Sequence, residues 1–207
     1  FQEITSTLTT QAKVISKTCD RLKANKRLRT LLAVVLAFGN HMNGGTKKGQ
    51  AYGFDLKILT QLADIKTFDN SKNFVMYVYE FCDRNYSDVL KVVEELSPFL
   101  KRASASLFAF DVLHKGYERV VESMKEIEEL TDSEEKEMYD PDDCLLSTMS
   151  TFCKAAKSSM KKLTMNVSNL EIRCKRVMKQ FAFGDDHKPE RIEDLFKVLW
   201  EFMESIE

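Results

Sequence analysis

The sequence has little of what marks disordered, secreted or membrane-spanning proteins. Only three prolines and seven glycines occur in 207 residues, and 30% of the residues are charged. This balance is typical of an ordered, helix-rich chain. The longest apolar run covers residues 31–38, whereas a membrane-spanning helix takes roughly 20 residues. We therefore expect neither a membrane span nor a signal peptide.

Paired cysteines are also lacking. The five cysteines are odd in number and scattered, and none of them forms a C-x-x-C pair. We interpret them as reduced thiols of an intracellular protein that mostly pack as small apolar side chains. The net charge of −1 predicts no strong overall attraction to nucleic acid or to an anionic membrane. A cytoplasmic chain without a nucleic-acid partner is expected.

Groups that perform bond chemistry are sparse. Residues 44–49 have the G-x-x-x-x-G spacing of a phosphate loop, but Gln50 and Ala51 follow where Lys and Ser or Thr would be needed. The three histidines lie far apart, so no metal site with converging ligands is predicted. The acidic pairs within 128–143 are better explained by a solvated surface than by acid catalysis. We therefore predict no enzyme activity, catalytic residue, metal, cofactor or small-molecule substrate.

The sequence does have helical periodicity along most of its length. Apolar residues recur every three or four positions over 1–22, and two longer stripes cover 100–127 and 145–181. The last stripe predicts a helix of about 40 residues, roughly 60 Å long, between Pro141 and Gly184. A round domain of this size cannot contain such a helix. We predict an all-α, elongated bundle with two long antiparallel helices.

Several local predictions concern the middle of the chain. The run 31–38 is expected to be a helix segment buried on nearly all sides. Residues 69–71 offer N-cap side chains for a helix over 72–84, and Pro98 is expected to open another helix. The helix over 72–84 should present one apolar face made of Phe74, Tyr77, Val78 and Phe81.

The most distinctive stretch is the turn after the apolar run. It contains Gly39, Asn40 and Asn43, followed by a glycine-rich loop with Lys47 and Lys48. The two asparagines are three residues apart and share one helix face. Because a buried amide needs partners, we expect them to hold the final helix carbonyls and the backbone of the incoming loop.

Charge is unevenly distributed. Residues 1–66 contain eleven Lys or Arg against four Asp or Glu, and the stretch 118–143 is mostly acidic. An ordinary solvated surface explains this asymmetry about as well as a basic face that docks on an acidic protein partner.

The turn carries a family resemblance. Gly39-Asn40-His41-Met42-Asn43, with the later G-Q-A-Y-G-F of residues 49–54, resembles the G-N-x-x-N signature and trailing G-F of the formin homology two domain. Residues 59–66 resemble that family's L-x-x-L-x-D-x-K segment. His41 departs from the family, which usually has an aromatic residue there. The likeness continues more weakly to about residue 205.

The resemblance implies a function without bond chemistry. Formin homology two domains nucleate actin filaments and stay processively on the barbed end. They act as head-to-tail dimers in which the N-terminal lasso of one subunit encircles the post of the other. The family's order is lasso, linker, knob, coiled coil and post. By that order, residues 1–207 are the C-terminal part of one such domain. No second domain is expected. The lasso and linker are expected to be absent, so the chain alone should be monomeric or at most weakly dimeric.

The resemblance also assigns residues to roles. Gly39, Asn40 and Asn43 correspond to the dimer contact between lasso and post, and Lys66 corresponds to an actin-contacting lysine. Lys47 and Lys48 are added as actin-binding candidates on charge and loop position alone. The implied partners are actin and a second formin subunit, at the cytoskeleton. The alternative is a helical scaffold that binds another acidic protein or itself.

Overall fold

Helices account for nearly all of the regular structure. The computed structural model describes residues 1–132, 144–184 and 191–206, and these ranges contain no β-strand apart from one isolated bridge. Two 3-10 helices cover Leu56–Asp64 and Ser106–Phe108. The α-helices are α1 Gln2–Ala24, α2 Lys26–Met42, α3 Phe74–Asn85, α4 Ser87–Leu90, α5 Val92–Ala103, α6 Phe110–Asp132, α7 Cys144–Gln180 and α8 Ile192–Ile206.

The two longest stripes form antiparallel helices, as predicted. Tyr117 of α6 donates to Thr164 of α7 at 3.1 Å, and further along α6 Glu128 pairs with Lys157 at 3.5 Å. Residue numbers thus rise in one helix as they fall in the other. Helix α7 has 37 residues and is therefore about 55 Å long. The all-α, elongated architecture is confirmed, whereas the proposed helix start at Pro141 lies outside the described residues.

Helix α1 is the third member of this bundle. It runs parallel to α7, because the Phe1 ring meets Phe152 at 5.4 Å while Asp20 pairs with Arg173. It also approaches α6 closely. A Cβ placed on Gly116 would lie 2.8 Å from the Leu8 side chain. We call α1, α6 and α7 the three-helix bundle.

Four of the cysteines, at 19, 82, 153 and 174, are buried and free, as expected of packed thiols. Cys19 and Cys174 meet across α1 and α7. The hydrogen bond between their side chains, together with burial, raises the pKa of the Cys19 thiol. These thiols therefore pack as part of the core.

The remaining helices form a second, more globular part of the core. This globular end contains α2 to α5, α8 and the 3-10 helix Leu56–Asp64. Helix α8 packs on α5 and on that 3-10 helix, and its Phe196 and Phe202 are fully buried. Asn25 lies at the junction of the two parts, between α1 and α2. Its side chain caps α2 at Leu28 N and donates to Glu95 of α5 at 3.0 Å.

Arg27, in the first turn of α2, fastens the same junction. Its guanidinium pairs with Asp88 of α4 and with Glu95, each at 2.9 Å. The hydrogen bond from Arg27, assisted by Lys91, lowers the pKa of Asp88 to about 2. The start of α2 is thereby held against α4 and α5.

Three local predictions were wrong. The run 31–38 is not buried on nearly all sides, because Ala33 and Ala37 are exposed. Pro98 lies inside α5 rather than opening a helix. Asn73, not residues 69–71, caps α3. The bridge between Lys66 and Asn73 holds Asn73 in an extended conformation, and this is the backbone geometry that an N-cap requires.

The predicted inward face of α3 was only partly right. Phe74 and Val78 are buried, but Tyr77 and Phe81 are 41% and 38% exposed. Val75 and Cys82 take the inward positions instead. Apolar residues surround α3 on most sides, so periodicity alone did not select the buried ones.

Candidate docking surface

The turn after α2 is held by its two asparagines. The Asn43 side chain donates to Gly39 O at 2.8 Å, within the last turn of the helix. The Asn40 amide donates to Ala51 O at 2.9 Å and accepts from Ala51 N at 2.8 Å. The prediction that these amides hold the helix end and the incoming loop is confirmed. Asn40 is half-buried and Asn43 is exposed, so both sit at the surface rather than in the core.

Two glycines in this turn have different surroundings. A Cβ on Gly49 would lie 2.7 Å from the Asn43 carbonyl oxygen, closer than real Cβ contacts. Gly49 therefore permits the loop to fold back on the helix end. A Cβ on Gly39 would meet nothing within 4 Å. No contact inside the described chain therefore requires glycine at this helical position. The backbone of Gly39 is not covered by another described side chain.

The three candidate lysines are all exposed. Lys47 and Lys48 lie in the loop between Thr46 and Gly49, where the Thr46 hydroxyl accepts from Lys48 N at 3.2 Å. Lys66 lies in a separate turn, beyond the 3-10 helix Leu56–Asp64. Within the described ranges, none of the three makes an ion pair. Their ammonium groups are free to meet an acidic partner.

A tight turn positions Lys66. The backbone of Thr67 donates to Lys72 O at 2.9 Å, next to the bridge between Lys66 and Asn73. Asp69 accepts hydrogen bonds from the Thr67 hydroxyl and from Ser71. These hydrogen bonds, Thr67 first, lower the pKa of Asp69 to about 2. The Asp69 carboxylate is therefore ionised at neutral pH and accepts the hydrogen bonds that hold this turn.

Sequence reasoning missed an aromatic cluster beside the asparagine turn. The Phe38 ring, next to Gly39, lies 5.3 Å from Phe81, and Phe81 lies 6.0 Å from Tyr86. Phe81 and Tyr86 remain 38% and 50% exposed. Partly exposed rings adjoining a bare backbone are typical of surfaces that bind another polypeptide. The all-round apolar character of α3 was the signal that could have indicated it.

Phe68, beside Lys66, was also missed. Its side chain is fully exposed, as is that of Tyr52 in the loop after Gln50. An isolated exposed ring carries little meaning. Here, however, Phe68 lies two residues from Lys66, and Tyr52 lies four residues from Lys48.

No described group suggests bond chemistry. The described residues contain no cluster of three or more His, Cys, Asp or Glu suited to a metal ion. None of the helices, as far as they are described, is both long and apolar enough to cross a bilayer. What the turn, the lysines and the aromatic cluster can do is bind a polypeptide. We call these residues the docking surface: Phe38, Gly39, Asn40, Asn43, Lys47, Lys48, Lys66, Phe81 and Tyr86.

A cleft of about 1020 Å³ lies elsewhere, between α6, α7 and the start of α8. Glu193, which lines it, is buried, and its carboxylate oxygens have no hydrogen-bond partner. Burial raises the pKa of Glu193. The N–H groups of Glu193 and Phe110 oppose this rise from nearby, without reaching hydrogen-bond geometry. This carboxyl is therefore a local weakness of the fold at neutral pH.

Comparison with known proteins identifies relatives. Protein diaphanous homolog 3 of Homo sapiens is 27% identical over 206 residues, which are 98% of this chain and 16% of that protein. Disheveled-associated activator of morphogenesis 2 of Gallus gallus is 29% identical over 182 residues, or 87% of this chain and 16% of that protein. Formin-2 of Homo sapiens is 39% identical over 89 residues, 42% of this chain and 5% of that protein.

The first two alignments cover most of the chain, and all three cover only a small part of each relative. The chain spans about a sixth of the length of the first two. The family comparison is more direct, because the model of the Formin Homology 2 Domain matches residues 1–207. Together with the all-helical fold and the asparagine turn, this match shows that the chain belongs to the Formin Homology 2 Domain family.

Proposed function

We propose that this chain is an actin-binding module of a formin that nucleates filaments and stays processively on the barbed end as a dimer. Its mechanism is geometric. Two actin subunits are held in a filament-like arrangement, and no bond is made or broken. The observation that carries this proposal is the family match over the whole chain, residues 1–207. The unpaired lysines and bare backbone of the docking surface agree with it.

Within that function, the asparagine turn receives the lasso of the other subunit. Support comes from the combination of a fixed backbone and a bare surface. The two Asn40 hydrogen bonds to Ala51 hold the loop in place, while the space above Gly39 is empty. The neighbouring Phe81 and Tyr86 rings offer apolar area for an incoming aromatic side chain.

Lys66 supplies the principal contact to actin, and Lys47 and Lys48 supplement it. An exposed ammonium without an internal partner loses no ion pair when it meets a carboxylate across an interface. A pair of this kind contributes about 2 kcal/mol or more when desolvated, and little at an exposed rim. The turn braced by Asp69 and Thr67 holds the backbone at Lys66, which reduces the cost of ordering that backbone on binding.

The two parts of the fold correspond to two regions of the family's domain. We assign the three-helix bundle to the coiled coil and the globular end to the post. Residues 1–207 are then the C-terminal part of a single domain. The location that fits this role is cytoplasmic, at the cytoskeleton.

A pyrene-actin assembly assay tests the proposal. The variant needed is a longer one that also carries the lasso and linker, because the proposed mechanism requires a dimer. We expect it to accelerate nucleation and to change barbed-end elongation. A properly folded dimer that leaves both rates unchanged would contradict the proposal and favour a helical scaffold for another acidic partner.

A further inference from the structure

Helix α7 has a strong charge imbalance that the net charge of the chain conceals. Residues 148–180 contain eight Lys or Arg and a single acid, Glu171. Only two of the eight cations are paired in the described structure: Lys157 with Glu128 and Arg173 with Asp20. These pairs join α7 to α6 and to α1, respectively. The remaining six cations are exposed.

Four of these cations share one line along the helix. Arg176 and Lys179 lie 22 and 25 residues beyond Lys154, and Lys161 lies seven beyond it. Each separation is close to a whole number of 3.6-residue turns, so all four point the same way. The line runs for about 38 Å. It lies opposite the buried stripe that includes Leu163, Val167, Leu170 and Val177.

Two apolar side chains lie in the middle of the same line. Met165 and Ile172 are 11 and 18 residues beyond Lys154, again close to whole turns. Their side chains are 57% and 48% exposed. They therefore do not belong to the buried stripe through which α7 packs on the bundle. We call these six residues the outer α7 face: Lys154, Lys161, Met165, Ile172, Arg176 and Lys179.

We propose that the outer α7 face binds the surface of a lipid bilayer that contains anionic headgroups. Cations at both ends of the line meet lipid phosphates and carboxylates, and the central Met165 and Ile172 enter the interfacial region. This combination of basic residues and exposed apolar side chains on one helix face is how interfacial helices bind membranes. The helix lies flat and does not span the bilayer.

The shape of the face favours a bilayer over a protein or a nucleic acid. A protein partner anchors its main contact residues in pockets, and no residue of the outer α7 face lines the cleft between α6, α7 and α8. Nucleic-acid phosphates would use the cations but gain nothing from Met165 and Ile172. Single-stranded binding would further require aromatic side chains for stacking, and this face has none. A bilayer surface can contact the convex face of a helix, and it binds both the basic and the apolar residues of this face.

Vesicle co-sedimentation tests the proposal on the 207-residue chain. The chain should bind vesicles that mix phosphatidylserine with phosphatidylcholine, and should not bind phosphatidylcholine alone. Each basic residue near such a surface contributes about 1 kcal/mol. The double variant K161Q/R176Q should therefore bind roughly 30-fold more weakly. Its matched control is K13Q/K17Q on α1, which removes two exposed cations without an ion pair in the described structure.

A second variant, M165S/I172S, separates insertion from charge attraction. It should weaken vesicle binding at low and at physiological salt alike, because apolar insertion is not screened as charge attraction is. Circular dichroism must show that all variants are folded. We expect this because substitutions at exposed positions usually change stability little. Three results would overturn the proposal: no binding to anionic vesicles, equal losses in the α7 variant and the α1 control, or no effect of M165S/I172S. Equally tight binding to DNA or polyglutamate through the same cations would also overturn it.

Discussion

A methyl group added at Gly39 should stabilise the fold and weaken docking at the same time. Gly39 lies inside α2, and a Cβ there would meet nothing within 4 Å. Replacing glycine by alanine in a helix typically gains about 0.5–1 kcal/mol. For a domain of this size, 1 kcal/mol corresponds to roughly 2–4 °C in Tm. G39A should therefore melt about 1–4 °C higher than the original chain.

The same methyl group should obstruct a partner that packs on this surface. Overpacking a close contact costs about 1–3 kcal/mol, so dimer affinity in a lasso-containing version should fall roughly 5- to 150-fold. The assays are thermal unfolding by circular dichroism and dimer dissociation by analytical ultracentrifugation. G49A is the comparison, because its Cβ would lie 2.7 Å from Asn43 O and should lower stability. A lower Tm for G39A, or an unchanged dimer affinity, would contradict the proposal that a partner packs against Gly39.

Two further changes probe the turn and the cleft. N40A removes both hydrogen bonds to Ala51. Since water reaches these groups, the free energy of unfolding should fall by about 1 kcal/mol. A urea titration should show this as a lower midpoint. The control is N169A, at an exposed position of α7. Glu193 has a raised pKa, so its stabilisation is present below the unfolded-state pKa and is lost as pH rises through the folded-state pKa. E193Q should therefore gain stability relative to the original chain as urea titrations move from acidic to neutral pH, and a constant difference would contradict the buried carboxyl.

Periodicity in the sequence predicted much of the fold. The stripes over 100–127 and 145–181 indicated long antiparallel helices, and α6 and α7 are such helices. The spacing of Asn40 and Asn43 predicted how the turn is held. These predictions succeeded because they depend on local geometry, which the sequence spacing determines directly.

Other features depend on which elements meet, and the sequence did not reveal them. The apolar stripe over residues 1–22 predicted which face of α1 is buried, but not that α1 lies beside α6 and α7. Tyr77 and Phe81 were expected inside, because nothing in α3 itself showed which of its apolar sides meets α8. The near-zero net charge suggested no attraction to anionic membranes, yet four of the eight cations of α7 lie on one face.

The actin contacts proposed here can be tested at one residue. Lys66 is exposed and makes no ion pair in the described structure, so K66A should change the free energy of unfolding by no more than about 0.5 kcal/mol. The decisive measurement is single-filament microscopy with a lasso-containing dimer, original and K66A. We expect the original dimer to stay on growing barbed ends and K66A to dissociate sooner or alter elongation less. Equal residence times and elongation rates for the two dimers would contradict the account.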